Sequence, residues 1–133
     1  MARTKLEHPT PAELEALQVL WQRGPSTVRE VMEALEATRK GRAYTSVMSL
    51  LNLMVDKRLV KRQPQGRAFL YIANVERQKT LTQMVHDLCR RAFAGSTSAL
   101  VAHMLDHNQP TKDELREIRQ AIDGYLAGKD DGG

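Results

Sequence analysis

Thr45, Ser46, Ser49 and Asn52 alternate with the apolar residues Val47, Leu50, Leu51 and Met54 at helical spacing. One face of such a helix is a core stripe, and the other carries small hydroxyls and an amide. These side chains let a helix approach base edges and phosphates closely, donating or accepting a hydrogen bond as needed. The helix start adds backbone N–H groups without an intrahelical partner, which favour an anion. Arg39, Lys40 and Arg42 precede this stretch, and Lys61, Arg62 and Arg67 follow it. The chemistry within reach is therefore recognition of a nucleic acid, with cations bracketing a groove from both sides. Taken singly, each residue has a plainer reading: Thr45 as a helix cap, the other three as ordinary solvent-facing positions.

The distribution of charge favours the functional reading. The net charge of the 133-residue chain is only +4, yet residues 37–73 hold eight Lys/Arg against the single Asp56, a net +7. The segments before and after carry −2 and −1. Clustering of this kind is the footprint of a polyanion-binding face, whereas a merely solvated surface intersperses the two signs.

Other chemistries find less support. No glycine-rich phosphate loop, G-x-S-x-G elbow or paired-carboxylate setting occurs, so an enzyme is not expected. His86 and Cys89 are three apart, and His103 and His107 four apart, so each pair falls on one helix face as metal ligands do. A lone cysteine on an apolar helix is more commonly just buried, and histidine is common on solvated helices. The expectation is no metal and no cofactor.

The elements that must position the reader are legible from their ends. Thr10-Pro11-Ala12-Glu13 combines an N-cap hydroxyl, a proline at the first helical position and a carboxylate three residues on. Leu14, Leu17, Leu20 and Trp21 follow at helical spacing until Gly24-Pro25. Thr27-Val28-Arg29-Glu30 opens a second helix with Val28, Val31, Met32 and Leu35 inside. The third helix starts near Tyr44 or Thr45. The period then changes: residues 59–62 and 68–72 predict two strands around a loop over 63–67. Three short helices and a β-hairpin predict a winged helix-turn-helix over 8–73, in a mainly α chain.

Residues 74–127 are helical again. Asn74 is the expected cap of a long helix bearing Leu81, Met84, Val85 and Leu88. Gly95-Ser96 interrupts it before Leu100, Val101, Met104 and Leu105. Pro110 and the box Thr111-Lys112-Asp113-Glu114 open a last helix with Leu115, Ile118, Ile122 and Leu126. Residues 128–133 predict a flexible tail. Three amphipathic helices of roughly 50 residues make a poor core alone, because small units bury too little surface. A second copy of the chain is the simplest partner, which predicts a homodimer through Leu81, Met84, Leu88, Leu100, Met104, Leu115, Ile118 and Ile122. The plainer alternative packs these stripes back onto the winged domain.

From about Thr10 to Leu126 the chain resembles the penicillinase-repressor (BlaI/MecI) family of bacterial transcriptional repressors. The resemblance lies in PTPAELEALQVLW, TVREVMEAL, AYTSVMSLLNLM, QGRAFLYI and FAGSTSALVAHMLDHNQPTKDELREIRQAI, taken in order. It implies a homodimer on a two-fold symmetric double-stranded operator, with the third helix in the major groove. It also implies release by proteolysis, usually by a membrane-bound metalloprotease that senses antibiotic, or by another signal. The cleavage-prone segment matches SALVAHML, which puts the candidate bond at His103-Met104, where an asparagine-aromatic pair is usual. Relatives often have arginine at Leu53 and glycine at Arg58. The copper-responsive branch uses paired C-terminal cysteines, and the one cysteine here is Cys89.

Two rivals stand beside this reading. A winged helix also serves as a protein-interaction module, but that use predicts apolar or acidic residues on the third helix's outer face. Only Met48 and Leu53 fit it. A ligand-sensing regulator with a pocket between the domains is the other. With no long apolar run and no secretory pattern at the N-terminus, the expected location is cytoplasmic, without direct membrane binding.

Overall fold

The computed structural model describes residues 8–38 and 41–132. In chain order the elements are α1 (Pro11–Arg23), α2 (Val28–Ala37), α3 (Tyr44–Asp56), β1 (Val60–Gln65), β2 (Ala68–Ala73), α4 (Arg77–Ala92), α5 (Thr97–His107) and α6 (Lys112–Gly132). The fold is mainly helical with a two-stranded antiparallel hairpin, a winged helix-turn-helix followed by three further helices. It divides into two compact units, one through Val85 and one from His86.

The helix starts follow their local chemistry. Thr10 Oγ1 accepts from the Glu13 N–H at 3.2 Å, and Glu13 Oε1 accepts from the Thr10 N–H at 2.9 Å. Thr27 and Glu30 repeat this reciprocal pair, and so do Thr111 and Glu114. Each such cap contributes about 1 kcal/mol. Gly24 ends α1 at φ +88°, a conformation that costs glycine little and other residues much.

The core of the first unit is built from Ala16, Leu17 and Leu20 of α1, Val31 and Leu35 of α2, and Val47, Leu51 and Met54 of α3, closed by Leu59, Val60 and Tyr71. Burying a leucine such as Leu17 or Leu51 completely is worth roughly 2 kcal/mol. Leu50 and Trp21 pack against this cluster half-buried, and the Trp21 indole N–H donates to the Val75 carbonyl at 3.0 Å. The turn after α1 joins the hairpin as well: Ser26 and Tyr71 exchange two backbone hydrogen bonds, at 3.0 and 2.8 Å.

Several boundaries differ from the sequence reading. The hairpin loop shrinks to Gly66-Arg67, because β1 runs through Pro64 to Gln65, which pairs with Ala68. Proline is tolerated in an edge strand, and Gly66 at φ +60° suits the first central position of a two-residue turn. Asn74 does not cap α4. Its side-chain amide donates instead to the Arg58 carbonyl at 3.0 Å, while the Glu76 carbonyl takes the Thr80 N–H. At the far end α6 stays helical to Gly132, past the point where a tail was expected, since no proline or left-handed residue interrupts it.

The exit of α3 is a Schellman motif: Leu59 N–H bonds to the Met54 carbonyl and Arg58 N–H to that of Val55. Arg58 therefore sits at φ +66°, in the left-handed region that favours glycine. Replacing it with glycine is expected to raise stability by about 1 kcal/mol by removing the left-handed strain. A urea titration of Arg58→Gly reads this, and a lowered midpoint would contradict it.

Candidate nucleic-acid interface

Unlike α1, α2 and α6, α3 opens without a side-chain cap: Ala43 is its N-cap and makes no such bond. The plainer role for Thr45 is thereby removed, since the hydroxyl is not used to close the helix. Thr45, Ser46 and Ser49 are all exposed, on the face opposite the buried Val47, Leu51 and Met54. Open N–H groups at the helix start and a row of small hydroxyls occupy one surface, as phosphate and base-edge contact requires.

Asn52 is placed differently. It is half-buried, and its Oδ1 accepts from Arg62 Nη1 at 2.7 Å and from the Tyr71 hydroxyl at 2.9 Å. Both lone pairs of that oxygen are engaged, so only the N–H donors are left for a base edge. The Arg62 guanidinium also lies over the Phe69 ring, 4.5 Å from its centroid.

The remaining cations fall into separate groups. Arg42 is exposed and forms an ion pair with Glu15 at 3.7 Å. Arg67 occupies the exposed tip of the hairpin. Lys61 is exposed too, but strand alternation puts it on the opposite face of the hairpin from Arg62. Neither Lys61 nor Arg67 has an ion pair among the described residues. Arg39 and Lys40 lie outside the described residues.

Two features went unread in the sequence, and a third, the apolar ground on the outer face of α3, was read only at Met48 and Leu53. Arg29 of α2 places its guanidinium 5.8 Å from the centre of the Tyr44 ring, which brings another exposed cation to the start of α3. Its position in a capping-box stretch gave a local reason for the segment and hid the distant one. Tyr44, Met48 and Leu53 form exposed apolar ground on α3. Lys57, at the C-cap of α3, donates to both carboxylate oxygens of Glu13 at 2.9 Å. Glu13 is only 1% exposed, so this ion pair fixes the exit of α3 against the first turn of α1.

In the second unit no described residue from His86 onward is buried. Of the expected interface residues, Leu81, Met84, Leu100 and Ile118 are half-buried, whereas Leu88, Met104, Leu115 and Ile122 are exposed. Met104, Leu105, Pro110 and Ile118 line an open groove between α5 and α6. The candidate bond His103-Met104 lies inside α5, with the His103 ring between Phe93 at 5.5 Å and His107 at 4.3 Å. A bond within a regular helix reaches a protease only when that helix opens locally. Among the described residues no helix is long and apolar enough to cross a membrane.

Comparison with known proteins extends these observations. The penicillinase repressor family matches residues 9–124. The penicillinase repressor of Bacillus licheniformis is 24% identical over 121 residues, covering 91% of this chain and 94% of that one. Transcriptional regulator BlaI of Mycobacterium tuberculosis is 34% identical over 111 residues, covering 82% and 78%. Among solved structures, the DNA binding domain of the repressor BlaI aligns at a TM-score of 0.49 with 24% identity, over 56% of this chain and 90% of that one. On the family match and these relatives, the chain is a member of the penicillinase repressor family, whose proteins are transcriptional repressors and not enzymes.

Proposed function

We propose that the chain represses transcription as a homodimer bound to a palindromic operator, with α3 in the major groove and the hairpin beside it. The observation that carries this reading is the uncapped start of α3 with Thr45, Ser46 and Ser49 exposed behind it. Arg42 before the helix and Arg67 at the hairpin tip are the phosphate contacts at its two sides, joined by Arg39, Lys40 and Lys61. Dimerisation falls to the helices after the hairpin, whose apolar stripes have no buried member from His86 onward. The segment leading into α4 and its first turn serve the winged unit, through the Trp21–Val75 bond and the buried Thr80. Release follows when the two halves are separated, by proteolysis in α5 from a membrane-bound sensor protease or by another signal.

Salt dependence is the test. Each phosphate neutralised contributes about −0.9 to the slope of log affinity against log salt. Arg67→Ala is expected to flatten that slope by about one unit on the DNA upstream of the chain's own gene and on random duplex alike. An unchanged slope would remove the hairpin tip from the interface. Exposed Tyr44, Met48 and Leu53 favour the rival, a protein-docking face on α3. That rival predicts no preference between the two duplexes.

A further inference from the structure

The geometry points to Asn52 Oδ1 as a latch that sets the angle between the recognition helix and the wing, with Arg62 acting as a positioning residue rather than as a phosphate contact. This inference rests on the DNA-binding reading for its consequence, though not for its structural basis. Arg62 and Tyr71 are directly paired across the hairpin, so their side chains leave the same face of the ribbon. Both donate to one oxygen on α3, at 2.7 and 2.9 Å. Tyr71 is itself immobilised: it is 2% exposed, and its backbone is bonded in both directions to Ser26. Phe69, from the next position on that face, supports the Arg62 guanidinium from behind at 4.5 Å.

A two-stranded hairpin has little stability of its own, and its orientation depends on what holds it. Here one chain of contacts runs from the turn after α1, through Tyr71, to the middle of α3 and back to β1. The guanidinium is stacked on one side and bonded at one edge, so a move to a phosphate would break the latch. A planar fork suits that arrangement and a lysine ammonium does not, whereas a plain phosphate contact accepts either cation.

The test uses the full chain in two measurements. Without DNA, urea unfolding of Asn52→Ala, Arg62→Ala and the double variant should show coupling. The double variant should lose less than the two single losses added together. With DNA, the probes are a duplex carrying the sequence upstream of the chain's own gene and a random duplex of equal length. Arg62→Gln should weaken binding to the first by about fivefold or more, while its salt slope stays within about half a unit of the parent's. Arg62→Lys should fail in the same way as Arg62→Gln.

Additive stability losses would overturn the latch. So would a slope flattened by about one unit in Arg62→Gln together with parental affinity in Arg62→Lys, the signature of a phosphate contact. Coupling in the free protein with no preference between the duplexes would overturn the repressor reading and leave the latch supported.

Discussion

A chain carrying both Leu115→Asp and Ile118→Asp is expected to sediment as a monomer and to bind its operator about a hundredfold or more weakly than the parent. Leu115 is 42% exposed and Ile118 half-buried within one chain, so two carboxylates there disturb the fold of the single copy little. Across a dimer interface the same carboxylates would be buried without partners, which is among the costlier changes a protein interface can suffer. The loss of affinity follows from geometry. Two recognition helices joined by a two-fold axis bind adjacent half-sites as one event, and unlinking them removes the effective concentration of the second. Sedimentation, helix content and operator binding of the variant read these effects together. A helical variant that still dimerises and binds at full strength would place the interface elsewhere.

The second large effect concerns Lys57. Lys57→Met is expected to lower stability by about 3 kcal/mol, because it strands the buried Glu13 carboxylate. The pair is not an ordinary surface ion pair: Glu13 is 1% exposed and both its oxygens lie 2.9 Å from Lys57 Nζ. Exposed pairs contribute about 1 kcal/mol or less, so a loss of that size would show that water reaches the carboxylate. Adding Glu13→Gln should recover part of the loss, since glutamine keeps the capping role while removing the stranded charge. Because this pair anchors the exit of α3, Lys57→Met should weaken operator binding as well.

These two residues also illustrate which features a sequence displays. Glu13 was legible as one half of a capping box, because that motif spans only four residues, Thr10 to Glu13, and announces itself locally. Its second partner lies 44 residues away, and no spacing rule connects them. The same distinction runs through the fold. Helix starts at Thr10, Thr27 and Thr111 were readable because reciprocal caps are local chemistry, and the core stripe of α3 because a helix repeats its faces. The Ser26–Tyr71 bridge was not, since it brings a turn against a strand far along the chain. Asn74 misled for a related reason: asparagine is a good cap in isolation, but the Arg58 carbonyl offers its amide a partner made available only by the fold.

At the candidate site, composition and spacing pointed to a surface, and tertiary contacts separate the residues within it. Thr45, Ser46 and Ser49 are exposed as helical spacing required. Asn52 and Arg62 belong to the same spacing and charge patterns, yet they face each other across the helix–hairpin junction. Sequence-level charge counting treats Arg62 and Arg67 alike. Only the fold distinguishes an arginine stacked on Phe69 from one at the open tip of the turn.

Footprinting the purified chain on the DNA upstream of its own gene tests the central claim most directly. A two-fold dimer reading major grooves should protect two symmetry-related patches, about one or two helical turns apart, at concentrations that leave random DNA unprotected. Protection of neither patch, or uniform coverage appearing only where random DNA is also covered, would contradict sequence-specific repression by a dimer.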